Sequence, residues 1–312
     1  MIYGKYQFLC RLKNEAILPY YKGSTFRGVF GHAMKKVVCV LKRQECSQCL
    51  LNQRCVYTLV FETSDFTKPP KGSKIASVPH PFVIEPPLMT QTHFTEGSSF
   101  DFHLILFGEV NHNLPYFIYA FDQMGKLGIG RRINGKRGQF ALKSVKVNGQ
   151  VIYSNADQTL QTSGDLDSLD LSGPEDCPKD TFRLRLVLET PLRFKFGNRL
   201  MADLPFHVLV RVMLRRISAL FNCYGDGELP LDYQGLVKRA EDVRIVDSSL
   251  EWFDWRRYSQ RQERGMLMGG VMGSVTYEGK IGEYMPFIDF CTKVHLGKQT
   301  SFGLGKVRFE KI

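Results

Sequence analysis

Residues 295–309, HLGKQTSFGLGKVRF, make a glycine-rich basic loop that leads into a strand-like run near the carboxyl end of the sequence. Residues 125–140, GKLGIGRRINGKRGQF, make a comparable loop and strand near the middle. Each of these runs closes a half of the chain that opens with a strand-like segment and a helix-like segment. Because the same succession occurs twice, the sequence predicts two copies of one structural module.

The first half begins with the alternation of a strand and continues with the spacing of a helix. Residues 5–13, KYQFLCRLK, alternate apolar and polar side chains as a half-buried strand does. Ser24 is the expected N-cap of a helix whose apolar face recurs from Phe26 through Val40 to Leu41. Later segments predict strands over 82–108, a second helix over 115–123 and a hairpin over 141–153. This order of elements is that of a ferredoxin-like βαββαβ module.

The second half repeats the order after residues 155–179, which are rich in Asp, Ser and Gly and are expected to form a linker or a surface excursion. Residues 182–194, FRLRLVLETPLRF, predict a strand. Asp203 is the expected start of a helix that ends near Gly225. We therefore predict an α+β fold with two tandem ferredoxin-like, RRM-like domains, over residues 1–154 and 180–312.

Composition bounds the partners of the chain. Its 312 residues include 42 Lys and Arg against 31 Asp and Glu, a formal net charge of +11. Such an excess favours a polyanion through release of its counterions, although a basic enzyme of another kind is the alternative. No stretch approaches the roughly 20 apolar residues that span a bilayer, and the first ten residues lack the apolar core of a signal peptide. We expect a cytoplasmic protein with no membrane partner.

Four cysteines are crowded into 17 residues of an insertion over 39–60. Cys39, Cys46, Cys49 and Cys55 have the spacing C-x6-C-x2-C-x5-C. A C-x2-C pair with two further thiolates suits a closed tetrahedral zinc site, and four protein ligands leave no position open for a substrate. The pattern predicts a structural Zn²⁺ that folds the insertion, with four free thiols as the alternative.

Three quoted segments together resemble the CRISPR-associated endoribonucleases that process precursor crRNA, within the RAMP superfamily. Residues 295–309 are similar to the glycine-rich loop and last strand of that family, and residues 18–36, LPYYKGSTFRGVFGHAMKK, are similar to the first loop and helix of its processing nucleases. Residues 39–62, CVLKRQECSQCLLNQRCVYTLVFE, are similar to a cysteine-bearing insertion in part of the family.

The resemblance implies a chemistry that needs no metal. Members bind CRISPR repeat RNA and cut it by attack of a ribose 2′-hydroxyl on the neighbouring phosphate, leaving a 2′,3′-cyclic phosphate and a 5′-hydroxyl. It also implies crRNA as a partner, with other CRISPR effector subunits as further partners. The main alternative is a catalytically silent RAMP subunit that holds crRNA within an effector complex. A zinc-dependent nuclease is a third hypothesis. The sequence gives it little support, because it lacks an acidic cluster that would bind a catalytic metal.

His32 is the first candidate for proton transfer. On a helical wheel it lies with Gly28, Lys35 and Lys36, away from the apolar stripe, and an imidazole can act as acid or base near neutral pH. Lys36, one turn further on, would place a cation beside a bound phosphate. The resemblance implies a tyrosine before this histidine, either Tyr20 or Tyr21. The alternative is an exposed histidine on a basic helix with no role in catalysis.

Further candidates for RNA binding come from both halves. Cations of the first glycine-rich run suit an RNA backbone: Arg131, Arg132, Lys136 and Arg137. One helix face carries three candidates at four-residue steps: His207, Arg211 and Arg215. This row would contact phosphates, or it is simply a solvent-exposed face of the helix. In the last loop, glycine would let amides approach phosphates beside two lysines: Gly297, Lys298, Gly303, Gly305 and Lys306. Trp252 and Trp255 are candidates for base stacking or for packing within the protein.

Overall fold

The computed structural model describes residues 1–42, 44–67, 75, 77–161, 166–171, 180–196, 199–200, 202–259 and 264–312. Two compact units divide the chain. Unit 1 comprises Met1–Ser168 with Cys223–Gly225, and unit 2 comprises Leu169–Asn222 with Asp226–Ile312. Both are mixed α/β structures with antiparallel sheets.

Unit 1 opens with a long strand and a long helix. Its strands are β1 (Ile2–Leu12), β2 (Ala16–Ile17), β3 (Phe82–Glu85), β4 (His93–Phe94), β5 (Ser99–Phe107), β6 (Ile129–Ile133), β7 (Lys136–Gly138), β8 (Phe140–Val147), β9 (Gln150–Ser154), β10 (Thr159–Leu160) and β11 (Asp167–Ser168). Its helices are α1 (Gly23–Val38), α2 (Val56–Phe61), α3 (Thr63–Phe66) and α4 (Leu114–Leu127). Single 3-10 turns occupy Cys46–Gln48, Asn52–Arg54 and Gly108–Asn113.

The main sheet of unit 1 has the order β10-β9-β8-β1-β5-β3, with β11 paired to β1. The predicted order strand, helix, strand, strand, helix, strand is present as β1, α1, β3, β5, α4 and β8. Within the segment predicted as a linker, β10 and β11 join this sheet, whereas residues 162–165 and 172–179 lie outside the described part of the chain.

An aromatic core joins α1 and α4 to the main sheet. The Phe30 ring of α1 stacks on the Phe121 ring of α4, with their centroids 4.3 Å apart. Phe121 in turn lies 4.7 Å from Phe8 of β1 and 4.8 Å from Phe102 of β5. All four side chains are buried, as the alternation in β1 and the apolar stripe of α1 predict.

The ends of α1 differ from the prediction. Lys22, not Ser24, occupies the N-cap position, and no side chain caps the helix there. The helix ends at Val38, so the predicted extension of its apolar face to Val40 and Leu41 is wrong. Cys39 is already extended, and Val40 is 75% exposed. The helix stops where the cysteine-bearing segment turns away from the core.

A second sheet of unit 1 has the order β4-β2-β6-β7. The first glycine-rich run forms its β6–β7 hairpin. Gly130 has φ +81°, and a Cβ added there would lie 2.2 Å from the Ile17 carbonyl oxygen. Glycine at this position therefore lets β6 lie directly against β2.

Unit 2 contains one main antiparallel sheet. Its strands are β12 (Phe182–Leu192), β13 (Lys195–Phe196), β14 (Arg199–Leu200), β15 (Arg244–Ser248), β16 (Glu251–Ser259), β17 (Arg264–Gly279) and β18 (Val307–Lys311). Its helices are α5 (Phe206–Tyr224), α6 (Tyr233–Arg239) and α7 (Met285–Val294), with 3-10 turns at Ala240–Asp242, Gly282–Tyr284 and Thr300–Phe302. The strand order is β15-β17-β12-β18, with β16 also paired to β17.

The core of unit 2 explains where α5 begins. The predicted start at Asp203 is wrong, because the helix begins at Phe206. Phe206 packs edge-on against Tyr277, and the Tyr277 hydroxyl donates to the Leu204 carbonyl at 2.7 Å. That bond fixes the backbone of Leu204, two residues before α5, against β17. No helix in the described residues has the length and hydropathy needed to cross a membrane.

Candidate active site

Helix α1 presents a polar face that carries His32. The side chains of Phe26, Phe30, Ala33 and Met34 are buried on the opposite face. His32 is exposed, as are Lys35 and Lys36 in the last turn. The prediction that His32 lies off the apolar stripe is confirmed. Residues four apart on a helix are neighbours, so a phosphate that contacts His32 lies within reach of Lys36.

The loop between β2 and α1 carries the two candidate tyrosines. Tyr20 is 59% exposed. Tyr21 is only partly exposed, and burial of its hydroxyl raises its pKa well above the ordinary value of 10. A phenol with a raised pKa is a weaker acid and is harder to ionise. Of the two, Tyr20 is the one whose hydroxyl a substrate can reach.

The β6–β7 hairpin places cations next to this loop. Its predicted contact residues are mostly accessible: Arg131, Arg132 and Lys136 are exposed and Arg137 is partly exposed. Arg131 pairs with Ile17 of β2, three residues before Tyr20, and α1 packs against β6. Asn14 secures the hairpin, since its side chain donates to the Arg137 carbonyl at 3.1 Å and accepts from the Gln139 amide at 2.9 Å.

The cysteine-bearing segment lies between α1 and α2. Cys39 follows the last turn of α1, Cys46 begins one 3-10 turn that Cys49 follows, and Cys55 precedes α2. Burial raises the pKa of the Cys46 thiol; Lys35 opposes the shift, while Glu62, Cys55 and Cys39 add to it.

The four thiols are chemically suited to zinc, but the described side chains do not form the predicted closed site. No three Cys, His, Asp or Glu residues in the described part of the chain are gathered so that they could hold a metal ion. The structural zinc therefore stays a prediction, and no step of the chemistry below uses it.

A histidine that the sequence did not single out joins α3, which follows the cysteine-bearing segment, to α1. The His80 ring bonds to Arg27 of α1 through Nε2 at 3.0 Å and to Thr63 of α3 through Nδ1 at 2.9 Å. The Arg27 guanidinium lies 5.2 Å from the centre of the Phe61 ring. These contacts tie α3 to α1, so Arg27 and His80 have a structural role.

In unit 2 the predicted cations of α5 differ in exposure. His207 and Arg211 are partly exposed, and Arg215 is exposed. Arg216 is buried instead, where its guanidinium donates twice to the Val294 carbonyl, at 2.9 and 3.2 Å. Contact of the first three with RNA stays a prediction.

The last glycine-rich loop uses its amides within the protein. The amides of Lys298, Gly303, Gly305 and Lys306 donate to the Arg193, Thr300 and Pro191 carbonyls and the Thr190 hydroxyl, at 2.7 to 3.0 Å. Each amide has one hydrogen, so these four amides are engaged within the fold, and contact of this loop with RNA stays a prediction. Gly297 is likewise required by the fold, because an added Cβ would lie 2.4 Å from the Arg193 carbonyl oxygen.

The candidate lysines and tryptophans of unit 2 differ in how far their side chains contact the rest of the protein. Lys306 lies 3.5 Å from the Glu189 carboxylate, whereas the Lys298 side chain is exposed. Trp252 covers Gly269 of the neighbouring strand and donates from its indole to Asp254 at 2.8 Å. Trp255 lies 6.0 Å from Phe253. These contacts favour packing within the protein for both tryptophans.

Two family models together account for most of the chain. A model described as the AF_1859 N-terminal domain matches residues 1–165, and the model of the CRISPR-associated endoribonuclease Cas6 matches residues 186–307. Residues 186–307 therefore match the Cas6 endoribonuclease family. The assignment made from the sequence is thus confirmed, while membership of a cysteine-bearing branch stays a prediction.

Similar proteins and structures cover nearly the whole chain. An uncharacterized protein of Archaeoglobus fulgidus is 25% identical over 309 residues, which is 96% of this chain and 97% of that protein. A Thermus thermophilus Cas6 matches with a TM-score of 0.55 and 12% identity, covering 99% of this chain and 98% of its own.

Two solved complexes match the fold of this chain about as well as the Thermus thermophilus Cas6 does. A Cas6 product complex has a TM-score of 0.57 and 12% identity over 99% of this chain and 100% of that one. A partial Cas6-RT-Cas1–Cas2 complex has a TM-score of 0.56 and 13% identity, covering all of this chain and 46% of the longer one. At these identities the structures show that the Cas6 fold is shared.

One residue of the candidate site was missed by sequence reasoning. Lys22 is buried, and its ammonium donates to the Met89 carbonyl at 2.5 Å and to the Tyr20 carbonyl at 3.3 Å. It also lies 5.8 Å from the centre of the Phe94 ring, and burial lowers its pKa. Lys22 thus fixes the backbone of Tyr20 against the strand region around β4. A single lysine in a loop gives no sequence signal for such a role.

Proposed function

We propose that this chain binds CRISPR repeat RNA and cleaves it without a metal ion to generate crRNA. The observation that carries the proposal is the exposed imidazole of His32 on the polar face of α1, with Lys36 one turn away. Basic residues of the β6–β7 hairpin, next to the loop of Tyr20, supply cations for the RNA backbone. The match to a family of endoribonucleases supports the same reaction.

The reaction transfers one phosphoryl group within the RNA. The 2′-hydroxyl loses its proton to a base, and its oxygen forms a bond to the adjacent phosphorus. The bond from phosphorus to the 5′-oxygen breaks, and that oxygen takes up a proton. The products are a 2′,3′-cyclic phosphate and a 5′-hydroxyl, with no net gain or loss of protons.

The side chains of α1 and its preceding loop fit these steps. His32 moves a proton at the 2′-oxygen or the 5′-oxygen, because an imidazole exchanges protons near neutral pH. Lys36 offsets the negative charge that builds on the phosphorane. Tyr20 is the assisting hydroxyl, held in place through its own backbone carbonyl by Lys22.

The test is incubation of the purified chain with a repeat transcript in EDTA, followed by mapping of the product ends. We expect cleavage at one position, a 2′,3′-cyclic phosphate end, and no cleavage when the scissile nucleotide lacks its 2′-hydroxyl. His32→Ala is expected to slow cleavage by about 100-fold or more while binding is retained. His112→Ala, at an exposed histidine paired with Glu109, is the matched control.

The outcomes separate the competing functions. Cleavage by His32→Ala at the wild-type rate would overturn the assignment of this histidine. Tight binding of repeat RNA with no cleavage by the wild-type chain would favour the catalytically silent RAMP subunit. Cleavage that stops in EDTA, with the chain still folded, would favour a metal-dependent nuclease.

A further inference from the structure

Gly28 lies within α1, at a position where the described contacts do not require a glycine. It is exposed, and apart from its two chain neighbours and the backbone of α1 itself, no described atom lies within 4 Å of a Cβ added at this position. Its φ is not positive, so its backbone conformation is one that any residue adopts. Gly31, on the same helix, differs because an added Cβ would meet the Phe61 ring at 3.1 Å. Packing explains Gly31 and does not explain Gly28.

A glycine inside a helix lowers stability relative to alanine, because the unfolded chain gains backbone freedom that folding must remove. At Gly31 close packing against Phe61 offsets this loss. At Gly28 the described part of the protein supplies no such contact. The open space is thus suited to a partner that must approach the helix backbone closely.

The position of this space relative to His32 indicates the partner. Gly28 and His32 are four residues apart, so they are neighbours on one face of α1. Cα–Cβ bonds tilt toward the amino terminus of a helix, and a side chain covers the turn that precedes it. The His32 side chain therefore leans over the surface at Gly28. A side chain at position 28 would fill the space beside the imidazole.

We propose that the ribose-phosphate backbone of the repeat RNA crosses α1 in direct contact with Gly28, and that this glycine positions the scissile linkage against His32. The inference rests on the proposed function and deepens it, since it names the surface on which the reacting nucleotide lies. The contact is with sugar and phosphate, because a bare helix backbone offers no side chain to read a base. Gly28 is a positioning residue in this scheme.

The experiment compares three variants of the full chain: Gly28→Ala, Gly28→Leu and Gly31→Ala. Alanine and leucine are good helix formers, so both changes at Gly28 are expected to raise the melting temperature, by about 2 °C. The same changes are expected to weaken binding of a repeat RNA that lacks the scissile 2′-hydroxyl, by about tenfold for alanine and about 100-fold for leucine. Gly31→Ala, whose methyl faces Phe61, is expected to leave the RNA affinity unchanged.

Binding of the uncleavable RNA keeps the two proposals apart. Should the wild-type chain bind but never cut intact repeat RNA, the proposed function fails, while the affinities of the variants still decide the role of Gly28. Wild-type affinity and cleavage rate in both Gly28 variants would overturn the inference. A parallel loss of affinity in Gly31→Ala would overturn it as well, because the effect would then belong to the whole helix.

Discussion

At the scale of single residues, the two adjacent tyrosines before α1 differ in what their hydroxyls can do. Tyr20 is exposed, whereas burial raises the pKa of Tyr21. We expect Tyr20→Phe to lower the single-turnover cleavage rate by about tenfold or more and Tyr21→Phe to change it less than about twofold. Tyr116→Phe, at an exposed tyrosine of α4, is the control. Equal losses in the first two variants would contradict the choice of Tyr20.

The buried ammonium of Lys22 makes stability depend on pH with a defined sign. Burial lowers its pKa from the ordinary value of 10.5, so the unfolded chain holds this proton at pH values where the folded chain has released it. Stability therefore rises with pH below 10.5 as the folded protein loses its buried charge. We expect the unfolding free energy of the wild type, measured relative to Lys22→Met by urea denaturation, to increase as the pH approaches 10.5 from below.

Lys126 supplies the control for this measurement. A hydrogen bond to Asp122 is the main cause that raises the pKa of this exposed lysine. Its contribution to stability is then fully present below pH 10.5 and is lost only as the pH passes the raised pKa. The difference between the wild type and Lys126→Met should stay level over the range in which the Lys22 difference rises. A level Lys22 difference would mean that the ammonium is solvated.

At the scale of elements, the cysteine-bearing segment between α1 and α2 carries the predicted metal site. The spacing of Cys39, Cys46, Cys49 and Cys55 predicts a structural zinc, yet their described side chains do not form a closed site. We expect the purified chain to carry about one zinc ion, and its removal to lower the melting temperature without slowing cleavage by the folded chain.

Metal content and thiol reactivity check this prediction together. Replacing Cys46 and Cys49 by serine should abolish zinc retention, whereas Cys223→Ser, at a partly exposed cysteine outside the segment, should leave it intact. A chain without zinc, whose segment thiols all react at once with a thiol reagent, would show that the four cysteines are free.

The elements of this Cas6 fold were predictable where one face of a segment is buried. The stripe from Phe26 to Ala33 and the alternation of β1 both follow from burial on one side, which leaves a periodic trace in the sequence. The element boundaries were less predictable. The end of α1 and the start of α5 depend on the contacts of the flanking residues, which leave no periodic pattern in the sequence.

The contacts that complete the candidate site could not be predicted because they join distant parts of the chain. Lys22 bonds to Met89, and Arg131 pairs with Ile17. The amide of Gly305 donates to the carbonyl of Pro191, which lies far from it in the sequence. A single sequence shows which groups are polar but not which of them the fold itself satisfies.

At the scale of the whole molecule, the net charge of +11 raises the question of whether RNA affinity follows the total charge or its placement. Each phosphate contact on single-stranded RNA contributes about −0.7 to the slope of log affinity against log salt. If Arg131 and Arg132 contact the backbone, their replacement by alanine removes two contacts and flattens the slope by about 1.4. Repeat and scrambled RNA should lose affinity alike, because phosphate contacts carry no sequence information.

A second double variant separates placement from total charge. Replacing Arg183 and Arg244 by alanine removes the same two charges, but both guanidinium groups pair with Glu278. Cations that are already paired release few counterions from RNA, so this variant should keep the wild-type slope in filter-binding titrations across salt concentrations. Equal flattening in the two variants would mean that the total charge of the chain governs affinity, and the β6–β7 hairpin would then have no special part in binding RNA.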